Sequence, residues 1–156
     1  MANDSVSTTE KLDGPIVRQF SVFLTNKVGA LLDIVKLLNE QNVIVLALNV
    51  QDSADSAIVR LVVSDPDQVQ ELFAIHDIPF STCELVVAEL KQGATELGKV
   101  LVALLMAEVN LHGSYSLLTR PRGHTALALH VEDNECASAV LRSQGFRILS
   151  QADISR

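Results

Sequence analysis

The stretch FLTNKVGALLDIVKLL, residues 23 to 38, contains the end of a strand, a short polar loop and a helix. Apolar side chains recur at helical spacing in its second half, at Leu31, Ile34, Val35 and Leu38. This spacing predicts a helix over residues 30 to 41 with one apolar face toward a sheet. Residues 16 to 24 alternate in the manner of a strand. A strand, a tight loop and an amphipathic helix thus open the fold.

The next segments add two strands, a helix and a further strand. Residues 43 to 51 and 58 to 63 are rich in Val, Ile and Leu, and the turn-forming run DSADS separates them, which predicts a hairpin. Asp65 followed by Pro66 predicts the capped start of a second helix. Residues 78 to 90 return to a strand pattern. The predicted order is β-α-β-β-α-β.

The second half of the chain repeats this order. When the sequence is aligned with itself at an offset of 66 residues, Leu24 aligns with Leu90 and Leu38 aligns with Leu104. Self-similarity at a fixed offset is the signature of a duplicated structural unit. The first helix of the second copy is expected to bury four residues against the sheet, namely Leu97, Val100, Leu101 and Leu104. Two copies of one unit therefore account for the chain.

The two copies predict an α+β fold. Each β-α-β-β-α-β unit is expected to be ferredoxin-like, with a four-stranded antiparallel sheet and both helices on one face. Pairing the units side by side predicts one eight-stranded antiparallel sheet with the helices on one face. We expect unit 1 over residues 15 to 84 and unit 2 over residues 85 to 156. Residues 1 to 14 are polar and are predicted to form a flexible N-terminal arm.

Charge and hydropathy exclude several classes of partner. The formal net charge is −7 and the basic residues are scattered, so no nucleic acid partner is expected. No run approaches the ~20 apolar residues of a membrane-spanning helix, and no signal-peptide core is visible, so we expect a cytoplasmic protein without a membrane partner. Cys83 and Cys136 are expected to be reduced thiols.

Two runs, TNKVGAL at residues 25 to 31 and EQNVIVLALNVQDSADSAIVRLVV at residues 40 to 63, resemble the ACT domain, a regulatory module that senses small molecules. The family's loop has Asp or Asn, then Pro-Gly, then Leu, and here Val28 replaces the proline. The family's later Asn is replaced by Ile44 in the first copy but is present as Asn110 in the second. The resemblance extends through both copies and is greatest to stand-alone proteins made of two ACT units, which carry no catalytic domain.

The resemblance implies a ligand site shared by two units, between the loop after the first strand of one and the second strand of the other. The expected ligand-binding residues are Asn26, Lys27, Val28, Gly29, Ala30 and Leu31 from the first copy, with Asn110, Leu111 and His112 from the second. The free N–H groups and positive end of the helix favour an anion, and Asn supplies both donors and acceptors. The alternative is purely structural, with Asn26 as a helix cap and Gly29 and Asn110 as turn residues.

No other constellation predicts chemistry. His112, His124, His130 and Cys136 could suggest a metal site, but His124 and His130 lie about 20 Å apart on one predicted strand and cannot share one ion, so no metal site is assigned. Arg120 to Gly123 with His124 forms either an anion site or a charged hairpin tip. The sequence lacks a nucleophile elbow, a P-loop and a dinucleotide fingerprint, so we assign no catalytic residue and no cofactor.

The sequence therefore predicts a non-catalytic, allosteric regulatory protein that binds an amino acid or a similar small metabolite between ACT units. Sheet edges that lack partners predict a homodimer. The alternative is a ligand-free protein-protein interaction module that regulates a metabolic enzyme.

Overall fold

The computed structural model describes residues 16 to 25, 27 to 52 and 54 to 155, so the predicted N-terminal arm and Asn26 lie outside the described residues. The strands are β1 (Val17–Leu24), β2 (Val45–Asp52), β3 (Ala57–Val63), β4 (Phe80–Leu90), β5 (Leu111–Ser116), β6 (Thr125–Val131) and β7 (Ile148–Leu149). The helices are α1 (Lys27–Glu40), α2 (Pro66–Ile75), α3 (Leu97–Met106), α4 (Asn134–Ser143) and α5 (Gln151–Ile154). This is the predicted order of elements, with α5 added at the end.

The start of α1 differs from the prediction. The helix begins at Lys27, three residues before the predicted start, so Val28 and Gly29 lie in its first turn rather than in a loop. Helix α2 begins as predicted, because the Asp65 side chain accepts a hydrogen bond from the N–H of Gln68.

The ends of α1 and α3 confirm the duplication. Asn42 and Glu108 are 66 residues apart, and both have positive φ angles, 58° and 56°. The next N–H in each copy returns to the helix, from Val43 to the Leu38 carbonyl at 2.9 Å and from Val109 to the Leu104 carbonyl at 3.0 Å. Left-handed residues with such backbone bonds are a common way to end a helix. The same geometry thus terminates both copies.

The sheet has seven strands, so the predicted eight-stranded sheet is wrong. Strand β4 serves both units, because β1 pairs with residues 80 to 85 of β4, whereas β6 and β7 pair with residues in the range 86 to 90. The first half-sheet is β2-β3-β1-β4 and the second half-sheet is β5-β6-β4-β7. Both orders are those of a ferredoxin-like unit, and sharing one strand removes one from the expected total.

The sheet is also curled, so the units do not simply extend one another side by side. Helices α1 and α2 pack on one face of the first half-sheet, and α3 and α4 pack on the same face of the second. The opposite faces meet each other in a third apolar cluster that includes Val17, Val62, Val87 and Ala128. A hydrogen bond of 2.7 Å from the Leu118 N–H to the Leu46 carbonyl joins the outer strands. The helix-free face is therefore closed upon itself.

Helix α3 contradicts the prediction about which of its residues are buried. Val100, Ala103 and Leu104 face the core, but Leu97 and Leu101 are exposed. The helix carries apolar residues on almost every side, so spacing alone does not identify its inner face. Three further apolar side chains are more than half exposed, namely Val102, Leu105 and Met106.

A polar bridge joins the two inner faces where the apolar cluster ends. Gln19 of β1 is only 1% exposed, and its carbonyl oxygen accepts a hydrogen bond of 2.5 Å from the Tyr115 hydroxyl of β5. The Gln19 amide group donates to the Cys83 sulfur at 3.3 Å. Burial raises the pKa of Tyr115, so its hydroxyl stays protonated and remains a donor. The bridge satisfies a polar group that is otherwise costly to bury.

The hydrogen bond between Tyr115 and Gln19 predicts that the losses of stability caused by substituting these two residues are not additive. Tyr115→Phe leaves the buried Gln19 carbonyl without its donor, so we expect the free energy of unfolding to fall by about 1 to 3 kcal/mol. Adding Gln19→Leu removes both partners, and the double variant should lose less than the sum of the two single losses. Urea unfolding of the four proteins measures these values. Strictly additive losses would contradict a stabilising bridge.

Candidate functional site

A cavity of about 290 Å³ lies between the two inner faces, beside the bridge from Gln19 to Tyr115. The first half-sheet lines it with Gln19, Asn49, Val50, Gln51 and Arg60. The Arg60 side chain is held by Gln51, whose carbonyl oxygen accepts a hydrogen bond of 2.7 Å from Nη1. The register explains this contact. Asn49 pairs with Arg60 across the β2-β3 hairpin, and Gln51, two residues further along β2, is therefore a diagonal neighbour of Arg60 on the same face. This wall therefore combines amides with one guanidinium.

The second half-sheet supplies the opposite wall. It consists of His112, Gly113, Ser114, Tyr115 and His130. Gly113 pairs with His130 after an irregularity in β5 between Leu111 and Gly113. At this irregularity two residues of β5 span one position of β6, so His112 and Gly113 both reach the cavity beside His130. The two imidazole rings lie with their centroids 5.3 Å apart.

The electrostatic character of the cavity is basic. Burial lowers the pKa of His130, and the nearby His112 and Arg60 add to this effect. Among the described lining residues there is no Asp or Glu. Since the whole chain has a formal net charge of −7, this cavity is a local exception. It offers an environment in which an anion is favoured and a further cation is not.

Of the predicted site residues that the structure describes, only His112 lines this cavity. The start of α1 lies elsewhere: Ala30 and Leu31 pack with the core cluster on the helix-bearing face of the first half-sheet, opposite to the cavity. Val28 is 80% exposed, and Gly29 is exposed as well. Within one chain, the structure does not place these residues and His112 in a common pocket.

Asn110 and Leu111 lie outside the cavity walls, at the beginning of β5. The Asn110 side chain donates a hydrogen bond of 2.8 Å to the Glu132 carboxylate. The adjoining surface depression is lined by Glu108, Glu132, Asp133 and Glu135. A carboxylate ligand would be repelled by these acidic groups. Asn110 therefore has an acidic neighbourhood, in contrast to His112.

His124 does not contribute to an anion site at the hairpin tip. Its Nδ1 atom lies 3.6 Å from a carboxylate oxygen of Glu89, which is buried. Nearby, Pro121–Gly123 form a 3-10 turn in which Arg122 has a positive φ of 57°. A carboxylate beside the imidazole opposes the binding of a second anion there.

The residues that sequence reasoning missed are polar residues inside strands. Gln19, Arg60 and His130 each interrupt an apolar strand, and all three point to the inner face. A polar residue on the buried face of a strand is the signal that could have identified them. Reading that signal required knowing that the helix-free faces are covered.

In the part of the chain that the structure describes, no helix is both long and apolar enough to cross a membrane. The same residues contain no cluster of three or more His, Cys, Asp or Glu side chains arranged for a metal ion.

Three solved structures show the same fold. Protein BT0572 from Bacteroides thetaiotaomicron is 24% identical, with 90% of this chain and 96% of that chain covered and a TM-score of 0.81. The ligand-free regulatory subunit of aspartate kinase from Thermus thermophilus is 15% identical, with coverages of 86% and 93% and a TM-score of 0.56. The regulatory subunit from Thermus flavus is 12% identical, with coverages of 83% and 93% and a TM-score of 0.53.

No curated protein matches the sequence. The model of the family described as ACT domain pair matches residues 15 to 156. Members of this family are typically regulatory modules that bind ligands. The chain therefore belongs to the ACT domain pair family.

Proposed function

We propose that this protein is a non-catalytic regulatory module that binds a small polar metabolite, such as an amino acid, in the cavity between its two half-sheets. The observation that carries the proposal is the composition of the cavity walls. Both half-sheets contribute hydrogen-bonding side chains to one space of about 290 Å³. Small-molecule sites combine an enclosed space of roughly this size with a few converging polar groups.

A ligand in this cavity would couple the two units. It contacts β2 and β3 on one side and β5 and β6 on the other, so it binds more tightly when the two walls are close together. A ligand shifts a conformational equilibrium by the difference in its affinity for the two states. The regulatory signal is then the spacing of the half-sheets, which an associated metabolic enzyme would sense.

A second location for the ligand remains a proposal from the sequence. It comprises Asn26, Lys27, Val28, Gly29, Ala30 and Leu31 together with Asn110, Leu111 and His112. Because α1 packs on the far side of the first half-sheet from the cavity, the two groups would come from different copies of the chain. Such a pocket would form only in an assembly.

A ligand screen with two matched variants separates these locations. Thermal unfolding is measured with the twenty amino acids and small carboxylic acids. A ligand at 100 times its dissociation constant adds about 2.7 kcal/mol, which raises Tm by about 5 to 10 °C for a chain of this length. We expect Asn49→Ala, in the cavity wall, to reduce this shift and Asn110→Ala to leave it unchanged.

Each result of the screen has a definite meaning. The reverse pattern, with only Asn110→Ala losing the shift, would place the ligand in the second location. If no compound shifts the unfolding temperature of the unmodified protein, both locations are wrong and the ligand-free interaction module is favoured.

We further propose a cytoplasmic homodimer, in which two copies meet through α3. The free thiols of Cys83 and Cys136 support a reducing compartment.

The outer strands β2 and β5 come close to each other within one chain, so the sheet edges are less available for dimerisation than expected. Helix α3 contains no acidic residue, and its single charged residue, Lys99, lies over the Phe146 ring. In a chain of net charge −7, this face approaches a second copy without repulsion between acidic groups.

Comparison of the two copies supports this use of α3. The offset of 66 residues relates Val102, Leu105 and Met106 of α3 to polar residues of α1, and these are Lys36, Asn39 and Glu40. Both sets are exposed, and Leu105 and Met106 are 76% and 79% exposed. The fold therefore tolerates polar residues at these positions, and the apolar ones point to a contact with a partner.

Giving α3 the polar residues of α1 tests the dimer. We expect the unmodified chain of 16.9 kDa to sediment as a dimer. The variant Val102→Lys, Leu105→Asn, Met106→Glu should sediment as a monomer with the same circular dichroism spectrum, because the changes are on an exposed face. Ile75→Lys, at the exposed end of α2, is the control and should remain dimeric. A monomeric unmodified protein or a dimeric triple variant would overturn the proposal.

A further inference from the structure

We infer that the cavity between the half-sheets selects a small carboxylate with net negative charge, preferentially a dicarboxylate, and that its binding is coupled to the uptake of a proton by His130. The inference rests on the proposed function, because it names the class of ligand for that same cavity.

The first observation is the unpaired charge of Arg60. Its guanidinium donates to the neutral carbonyl of Gln51, and within the described residues no carboxylate pairs with it. A guanidinium has five N–H donors in a planar fork that suits a carboxylate. Held against Gln51, the group is oriented before any ligand arrives. Arg60 is therefore the anchor for one carboxylate.

The second observation is the set of groups around His130. The titratable groups that line the cavity with this ring are Arg60 from β3 and His112 and Tyr115 from β5, and Cys83 from β4 lies next to the cavity beside Gln19. Burial raises the pKa of Cys83 and of Tyr115, so both stay neutral at physiological pH. The strand β2 contributes the uncharged Asn49 and Gln51. The surroundings are thus neutral or positive on each of these sides.

These surroundings make protonation of the His130 ring costly until an anion enters. The pKa of His130 is lowered chiefly by burial and further by His112 and Arg60. An anion that contacts the ring favours the charged form, so it raises the pKa and draws a proton into the cavity. Affinity for the anion must then increase as the pH falls through the usual range of histidine, near 6.5.

The same walls discriminate between ligands. One carboxylate of the ligand meets Arg60, and a second meets the protonated ring of His130. An ammonium group finds no carboxylate on the described walls, and it is repelled by Arg60. The expected order of affinity is succinate, then glutamate, then glutamine. Glutamate and glutamine differ by one charge at nearly equal size, which makes them a matched pair of probes.

Isothermal titration calorimetry of the full chain tests the inference with these three probes between pH 5.5 and 8. We expect glutamate to bind about tenfold more tightly than glutamine, since one charge interaction of 1.4 kcal/mol corresponds to that factor. Glutamate, whose two carboxylates remain ionised over this range, should bind about threefold to tenfold more tightly at pH 5.5 than at pH 8, because each unit of pKa shift contributes up to a factor of ten. Titration in buffers of different ionisation enthalpy counts the protons taken up.

Variants assign these effects to residues. Arg60→Gln should weaken succinate binding at least tenfold, whereas Arg122→Gln, at the exposed hairpin tip, should not change it. His130→Gln should remove most of the proton uptake, and His76→Gln, at the exposed end of α2, should leave it intact. If a cavity variant fails to fold, NMR titration of His130 in the unmodified protein replaces it. Succinate should then raise the pKa of that ring.

The outcomes separate this inference from the proposed function. If glutamine binds as tightly as glutamate, or glutamate binding is independent of pH, the preference for an anion is wrong although the cavity still binds a ligand. If none of the probes binds and no compound of the wider screen shifts the unfolding temperature, the proposed function fails as well.

Discussion

The architecture depends on the continuous pairing of one strand, β4, with both halves of the molecule. Residues 80 to 85 complete the first half-sheet against β1, and residues 86 to 90 begin the second against β6 and β7. Because no loop separates these segments, the two units have no independent hinge at their junction. The twist that accumulates along a sheet of this kind turns the second half over the first. The inner faces then bury apolar residues from both halves in a single cluster.

This arrangement explains why the cavity is polar. Where the inner faces are in close contact, residues such as Leu85 and Ala126 exclude water. Toward the open end the walls carry amides, imidazoles and a guanidinium, and the bridge from Tyr115 to Gln19 marks the change. A buried polar contact of this kind fixes the register of the two walls, because a shift by one residue would leave Gln19 without its donor. The same bridge that orders the core thus sets the geometry of the cavity.

The sequence predicts the local elements well because their signals are local. Periodicity, the cap at Asp65 and the offset of 66 residues identify the helices, the strands and the duplication. The eight-stranded sheet was wrong because counting strands per unit does not reveal that β4 belongs to both. Leu97 and Leu101 were wrongly assigned to the core because α3 is apolar around most of its circumference. The walls of the cavity were not predictable, since residues as distant in sequence as Gln19 and His130 meet only after the sheet curls.

The proximity of β2 and β5 has a consequence for how such a protein behaves when crowded. An open antiparallel sheet presents a row of unpaired N–H and carbonyl groups at each outer strand, and such rows recruit other strands. Here the hydrogen bond from Leu118, just beyond β5, to Leu46 of β2 holds the two outer strands near each other at one end, so their edges are less open there. The protein thereby gains much of the protection of a closed barrel while keeping an opening between its walls. Resistance to strand-mediated polymerisation and access for a small molecule follow from the same curvature.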